Sequence, residues 1–202
     1  MSKTTDQDQL KEILCSKSLN TGREYELHSG DKSSVYVDAK ITTCNPKAIR
    51  LVGRVFLSKI EDLMWVPEAV GGLTVGADPI AVAIARESSE TDRPLQAFIV
   101  RKEPKKHGME KFIEGLTAPR GSRVVIIDDV CTRGDSTAQA IETARDAGMQ
   151  VLGAICLVDR EQGASDLLRK RFGVSLARIF TLAELVSAAD SAKHITEHVH
   201  AL

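Results

Sequence analysis

Two adjacent carboxylates and a short polar loop are the residues of this sequence whose types and spacing most clearly suggest chemistry. Asp128 and Asp129 follow four apolar residues, 124–127, and a loop that contains two hydroxyl side chains comes shortly after them. The apolar run has the length and composition of a strand that is buried on both faces. A helical pattern begins after the loop, so the pair and the loop occupy the connection between a strand and a helix.

The polar loop has the features of an anion-binding turn. Residues 132–136 read Thr-Arg-Gly-Asp-Ser and lead into the predicted helix. Backbone N–H groups at a helix N-terminus are unpaired and lie at the positive end of the helix dipole, so they attract anions. Gly134 lets the backbone approach a ligand closely, and Thr132, Ser136 and Thr137 are candidate hydroxyl donors. An ordinary solvated turn is the alternative, since neither a Walker sequence nor a G-x-G-x-x-G motif is present.

Strand-like and helix-like segments alternate along the chain, and they must position the acidic pair and the loop. Residues 20–27 are turn-like in composition. Apolar runs predict strands at residues 35–37, 69–70, 95–100, 124–127, 151–158 and 174–180. Amphipathic patterns and start signals predict helices at residues 8–18, from 45 onward, from 78 onward, 166–171 and 181–189, the last with a capping box. Such alternation implies a parallel sheet with helices on both faces, which binds ligands beyond the carboxyl ends of its strands.

The composition predicts a soluble globular protein. We expect one domain over residues 1–202, because this length supports a full core. The net charge of −1 argues against nucleic-acid binding, and no apolar run reaches the length of a membrane span. The N-terminus lacks the apolar core of a signal peptide, so we expect the protein in the cytoplasm. Four scattered cysteines are expected to be free thiols.

The strand, the acidic pair and the loop resemble a known motif. An apolar run followed by D-D-V-x-T-x-G-x-S resembles the phosphoribosyl pyrophosphate (PRPP) motif of the type I phosphoribosyltransferases. The resemblance implies that family's α/β fold, a parallel Rossmann-like sheet flanked by helices, with a small N-terminal hood over about residues 1–40 and a mobile catalytic loop. It also implies that the pair lies along the ribose hydroxyls and that the loop cradles the 5′-phosphate. Mg²⁺ would be held through PRPP and water near the pair, with no direct protein ligand. The implied PRPP-binding residues are Asp128, Asp129, Val130, Cys131, Thr132, Arg133, Gly134, Asp135 and Ser136.

A basic segment, residues 101–108, is the second informative stretch. By its charge alone it is an ordinary solvated loop. However, R-K-x-x-K-x-H-G followed by Ile-Glu-Gly at 113–115 resembles the mobile catalytic loop of the orotate phosphoribosyltransferases. The resemblance implies catalytic and PRPP-binding roles for Arg101, Lys102, Lys105 and His107, which would meet the pyrophosphate partly across a homodimer interface. Cations on a mobile loop would stabilise the charged pyrophosphate as it leaves. Because the loop can move away afterwards, they would not trap the product.

Three further segments resemble the same family in consistent order. Residues 27–38 are similar to its S-G-x-x-S…Y-x-D segment over the pyrimidine, and residues 71–79 to its glycine-rich turn. Arg160, after the strand at 151–158, is similar to its orotate-reading arginine. The implied orotate contacts are Arg160, Thr132 and Tyr36, with a plain core role as the alternative for Tyr36. His28 stands where many members have lysine, and the glycine-rich turn lacks a lysine that many carry.

The resemblance implies an enzyme of pyrimidine biosynthesis. Orotate and PRPP, with Mg²⁺ as cofactor, would give orotidine 5′-monophosphate and pyrophosphate. Such a transfer depends on positioning and charge stabilisation more than on a covalent nucleophile. A purine phosphoribosyltransferase and a PRPP-sensing regulator on the same fold are the alternatives. A purine phosphoribosyltransferase would have no evident use for Arg160 or the basic segment. A regulator would need a nucleic-acid-binding surface or an added domain, and neither the composition nor the length supplies one.

Overall fold

The structure is a computed structural model that describes residues 4–26, 32–103, 112–116 and 118–200, with the backbone alone at 23, 26 and 192–200. The described elements, in chain order, are α1 (Asp6–Lys17), β1 (Leu19–Glu26), β2 (Lys32–Val37), α2 (Ala39–Thr43), α3 (Ile49–Asp62), β3 (Ala69–Leu73), α4 (Ala77–Ser88), β4 (Gln96–Val100), β5 (Ile113–Glu114), β6 (Arg123–Cys131), α5 (Asp135–Asp146), β7 (Gln150–Asp159), α6 (Ala164–Phe172), β8 (Leu176–Thr181) and α7 (Leu182–His200).

A six-stranded sheet in the order β5-β4-β3-β6-β7-β8 forms the centre of the fold. All its neighbouring pairs are parallel except β4 with the short β5. The chain moves outward from β3 to β4 and then returns to place β6 on the other side of β3. The strand order therefore reverses between β3 and β6, which is where ligands of open parallel sheets bind. The predicted fold class, a mostly parallel sheet flanked by helices, is confirmed.

The central strand β6 is buried on both faces because its apolar residues alternate between two cores. Val125 and Ile127 pack with apolar residues of α1, α3 and α4 on one face. Val124 and Ile126 pack with α5 and α6 on the other. An exclusively apolar run was therefore needed, as the sequence predicted.

Strand β6 is longer than its apolar run. The prediction ended the strand at residue 127, but the ladder continues and pairs Asp128 with Cys156 and Cys131 with Asp159 of β7. The acidic pair thus belongs to the strand rather than to the loop. The physical reason is that backbone pairing with β7 satisfies the main chain regardless of side-chain polarity.

The N-terminal hood contains a strand that the composition did not reveal. Residues 20–27 were predicted to be turn-like, but β1 pairs antiparallel with β2, from Leu19 opposite Val37 to Glu26 opposite Lys32. The register shifts between Thr21 and Tyr25. This small sheet is separate from the central one, so its strand carries no continuous apolar run and resembles a turn in composition.

Most other predicted elements are present, with their ends displaced by a few residues. The helix expected from residue 45 begins at Ile49, because the side-chain oxygen of Asn45 accepts a bond from the backbone N–H of Lys47 (2.9 Å) and caps a turn instead. The capping box before α7 is confirmed. Glu184 N–H donates to Thr181 Oγ1 (3.1 Å), and Thr181 N–H donates to the Glu184 carboxylate (2.7 Å).

Two further features of the fold concern single side chains. The ring of Trp65 lies over β7 at Gly153, where a Cβ atom would be 2.0 Å from ring atom Cη2. All four cysteines are free thiols, as predicted, with Cys131 and Cys156 buried. Among the described residues, no helix combines the length and the apolar character that crossing a membrane requires.

Candidate active site

A cleft of about 520 Å³ opens where the strand order reverses, at the carboxyl ends of β3, β6 and β7. It collects residues from the hood, the turn after β3, the end of β6 and the end of β7. Its lining consists of Tyr36, Val37, Lys40, Leu73, Thr74, Val75, Gly76, Lys102, Asp128, Asp129, Val130, Cys131, Thr132, Arg133, Gly134, Asp135, Ser136 and Arg160. Every residue of the predicted PRPP motif therefore borders one space.

The two carboxylates of the acidic pair have different surroundings. Asp128 is 8% exposed, and its carboxylate accepts bonds from the Thr137 hydroxyl (2.6 Å) and from the backbone N–H of Asp129 (2.9 Å). Asp129 accepts a bond from the N–H of Val130 (2.9 Å) and has its other oxygen 3.9 Å from Nζ of Lys40. Asp129 thus presents its carboxylate toward the cleft, whereas the carboxylate of Asp128 is held by its hydrogen bonds to Thr137 and to the backbone.

The environment of Asp128 favours its protonated form. Burial and then the charge of Asp129 raise the pKa of Asp128 from 3.8 to about 7, against the opposing effect of the Thr137 hydrogen bond. Desolvation and a neighbouring like charge both disfavour the ionised carboxylate. At neutral pH the pair therefore carries less negative charge than two ordinary aspartates, which eases the approach of an anionic substrate.

The polar loop has the backbone geometry that the sequence suggested. Gly134 has φ of 89° and caps α5, which begins at Asp135. This left-handed conformation suits glycine and turns the backbone so that the N–H groups of the first turn of α5 lie at the cleft. Thr137 is a correction to the predicted donors, because its hydroxyl is buried and bonded to Asp128. Cys131 is also buried, with Sγ 3.4 Å from Oγ1 of Thr137, so only its backbone can face a ligand.

The glycine-rich turn after β3 packs directly against the acidic pair. A Cβ atom on Gly76 would lie 2.3 Å from a carboxylate oxygen of Asp129, so a larger residue here would displace the Asp129 side chain. The Thr74 hydroxyl donates to Asp78 (2.6 Å) and ties the turn to the first residues of α4. The peptide bond between Thr74 and Val75 is cis. The turn and Asp129 therefore form one continuous wall of the cleft.

Arg160 joins the end of β7 to the hood. Its Nη2 donates to Oγ of Ser33 (3.0 Å) and its Nη1 to the carbonyl oxygen of Val35 (3.4 Å). Its Nε is buried without a hydrogen-bond partner among the described residues. Burial lowers the pKa of Arg160, but a guanidinium remains charged. Tyr36, on the same hood strand, stacks on Tyr25 with 5.4 Å between ring centroids and borders the cleft.

The predicted basic segment is described only in part. Lys102 borders the cleft, and its carbonyl oxygen accepts a bond from Gln139 of α5 (3.3 Å). Arg101 is not among the cleft residues; its guanidinium donates to the carbonyl oxygen of Glu103 (3.3 Å) and lies 3.9 Å from Glu114. Lys105 and His107 lie outside the described residues, as does His28.

Two cleft residues carry contacts that the sequence argument did not identify. Lys40, two residues after Asp38 at the end of β2, reaches Asp129. Ser33 fell within a motif resemblance, but its bond to Arg160 was not foreseen. The Asp-x-Lys sequence after a short strand was the available signal for Lys40, although it does not reveal that α2 lies beside β6.

Comparisons with known proteins agree with this geometry. The phosphoribosyl transferase domain family matches residues 40–177. Orotate phosphoribosyltransferase of Aquifex aeolicus is 40% identical over 183 residues, which are 90% of this chain and 98% of that protein. The structure of Mycobacterium tuberculosis orotate phosphoribosyltransferase superimposes with a TM-score of 0.77 at 36% identity and covers 90% of this chain and 99% of its own. A complex of the mycobacterial enzyme with PRPP gives 0.73 at 33% identity, with the same coverage.

A parallel sheet with an acidic pair and an anion loop at its switch point, together with the family match, shows that this chain belongs to the phosphoribosyltransferase family. Within that family, the curated relatives from Aquifex aeolicus and Nostoc and the mycobacterial structure, each matching most of this chain, are orotate phosphoribosyltransferases.

Proposed function

We propose that this chain transfers the 5-phosphoribosyl group of PRPP to orotate, giving orotidine 5′-monophosphate and pyrophosphate in pyrimidine biosynthesis. The observation that carries the proposal is that one cleft joins the PRPP motif to a buried guanidinium at the end of the adjacent strand. An anion loop alone would suit many phosphorylated ligands. The arginine beside it adds a means of recognising a planar, anionic base.

The PRPP motif would hold the phosphoribosyl group at two points. The N–H groups of residues 132–136 bind the 5′-phosphate, which gains the favourable end of the α5 dipole. Asp128 and Asp129 lie along the ribose hydroxyls, with Asp129 as the more accessible carboxylate. These contacts fix the ribose while its anomeric bond to pyrophosphate breaks. Positioning of this kind removes much of the entropic part of the barrier.

Arg160 and the hood would hold orotate. A guanidinium can bind a carboxylate or a pair of carbonyl oxygens with two parallel hydrogen bonds. The unpartnered Nε of Arg160 supplies one donor, and its two other nitrogens reach hood atoms that a ligand could replace. Thr132 would be the accompanying hydroxyl, and Tyr36, which also lines the cleft, would cover the base.

Magnesium is the proposed cofactor, bound to PRPP and reached by the protein through water. Two carboxylates at the cleft fit this role, because Mg²⁺ prefers oxygen ligands and retains several waters. When bound, the ion would neutralise part of the pyrophosphate charge. Asp129 is the residue whose carboxylate is oriented to accept hydrogen bonds from the ion's waters.

We also propose that the active form is a cytoplasmic homodimer. Arg101, Lys102, Lys105 and His107 would stabilise the departing pyrophosphate, partly across the subunit interface. In the described part of this segment, the Arg101 side chain pairs within its own strand pair. A side chain outside the lining of its own cleft is compatible with a role in a neighbouring subunit's site.

Turnover measurements with PRPP, Mg²⁺ and one of four bases test the proposal. Orotate should react, while adenine, hypoxanthine and uracil should not. Arg160→Gln should retain PRPP binding and lose orotate turnover, because the guanidinium contacts the hood and the proposed base position and not the PRPP motif. Turnover of a purine in preference to orotate would overturn the assignment and favour the purine alternative. Binding of PRPP without turnover of any base would favour the regulator.

A further inference from the structure

Lys40 occupies a position in the cleft for which the reaction scheme so far has no use. It lies in the short helix α2, directly after the hood strand, and borders the cleft together with the glycine-rich turn and Asp129. Its side chain is 45% exposed, so the ammonium group can reach a ligand.

Two carboxylates hold the Lys40 ammonium group in place. Nζ lies 3.1 Å from Asp38 and 3.9 Å from Asp129. Partial burial acts to lower the pKa of Lys40, but the Asp38 and Asp129 carboxylates outweigh it and the pKa is raised. The lysine is therefore a positioned, permanent cation and not merely a mobile surface chain.

The distribution of charge around the cleft suggests which part of a substrate this cation could bind. The turn at residues 73–76 reads Leu-Thr-Val-Gly and contributes no charge, although it forms a wall beside Asp129. Arg160 is bonded to the hood on the base side, and Arg133 belongs to the loop of the 5′-phosphate. Lys40 lines the same cleft in sequence-distant contact with Asp129, to which it is ion-paired.

We propose that Lys40 binds the pyrophosphate group of PRPP beside the uncharged turn. The inference rests on the proposed function, because it assumes that PRPP occupies this cleft. On substrate binding, the ammonium group keeps its short contact with Asp38 and exchanges the longer one with Asp129 for a pyrophosphate oxygen. That exchange releases Asp129 for the ribose and its metal-bound waters, so one lysine couples the two halves of the PRPP site.

Binding of two partial ligands separates this role from a structural one. Inorganic pyrophosphate with Mg²⁺ probes the proposed contact, whereas ribose 5-phosphate occupies only the loop and ribose positions. In Lys40→Met, calorimetry should show pyrophosphate and PRPP binding weakened roughly 10- to 100-fold, the range expected for a lost hydrogen bond to a charged group. Binding of ribose 5-phosphate should stay within about twofold of the original protein.

Three companion variants sharpen the result. Lys40→Arg keeps the charge and should retain most of the pyrophosphate affinity. Lys47→Met removes an exposed lysine that does not line the cleft and should change neither ligand's affinity. Adding Val75→Lys to Lys40→Met returns a cation to the turn at a side chain that is 63% exposed, and it should recover part of the pyrophosphate affinity.

Equal weakening of pyrophosphate and ribose 5-phosphate binding in Lys40→Met would overturn the inference, because it would indicate a general distortion of the cleft. Unchanged pyrophosphate binding would overturn it as well. Orotate turnover by the original protein is measured in parallel. Its absence would count against the proposed function, whereas turnover combined with unaltered pyrophosphate binding in Lys40→Met would count against the role of Lys40 alone.

Discussion

At the scale of single residues, the protonation of Asp128 connects stability with function. The folded protein holds this proton more tightly than the unfolded chain does, because burial and Asp129 raise the pKa of Asp128 from 3.8 to about 7. The resulting stabilisation is fully present below the unfolded pKa. It is lost as the pH rises through the folded pKa, since ionisation then has to occur in a buried site.

Replacing Asp128 with asparagine should therefore flatten the pH dependence of stability. Relative to the original protein, Asp128→Asn should gain unfolding free energy between pH 5 and pH 8, by at most about 1.4 kcal/mol per pH unit. Urea titrations at both pH values measure this. Asp92→Asn, at an exposed loop carboxylate, is the control. An equal pH response in the Asp128 variant and the original protein would contradict the raised pKa.

Cys131 provides a second test at this scale. The sequence placed it between the acidic pair and the loop, where PRPP could protect it from reagents. The structure buries its side chain beside Thr137, so we expect no alkylation by a bulky maleimide with or without PRPP. Cys44 is exposed and should react in both samples, which makes it an internal control for peptide mapping. Labelling of Cys131 would show that the loop opens.

At the scale of elements, the contact between the glycine-rich turn and β6 determines the shape of the PRPP site. Gly76→Ala would bring a Cβ to 2.3 Å from the Asp129 carboxylate and force that side chain to move. We expect kcat/KM for PRPP to fall on the order of 10²-fold, as for other misplacements of about 1 Å. Val82→Ala, at an exposed side chain of α4 outside the cleft lining, should remain close to the original activity. Equal activities of the two variants would show that the close approach is not required.

The helices and strands also show how much of the fold and the site could be predicted from the sequence. The α/β alternation and the site on β6 followed from apolar patterns and a motif, because buried strands and glycine loops require particular residue types. Strand β1 was missed because a two-stranded hood needs no continuous apolar run. Lys40 and the true partner of Thr137 were missed because their roles depend on which elements lie beside β6. The local sequence does not reveal which helices and strands become neighbours of β6 in the fold.

At the scale of the whole molecule, a shared active site predicts complementation. Lys105→Ala should lower kcat by roughly 10²–10³ by removing a stabiliser of the leaving group, and Asp129→Asn should disable the PRPP site. If the basic segment acts across the dimer, mixed dimers of the two variants rebuild one intact site and should recover activity. Mass spectrometry of the mixture confirms that heterodimers form. Heterodimers without activity would show that each subunit uses its own segment.

The Trp65 ring, which packs over Gly153, provides an intrinsic fluorescence probe of the fold. It is the chain's one tryptophan, and Gly153 lies seven residues, roughly 23 Å of extended strand, before Arg160. Its emission therefore reports packing toward the amino end of β7, away from the cleft at the carboxyl end of that strand. We expect saturating PRPP to leave the emission maximum unchanged and urea unfolding to shift it to the red. A shift caused by PRPP alone would instead show that occupation of the cleft changes the packing along the length of β7.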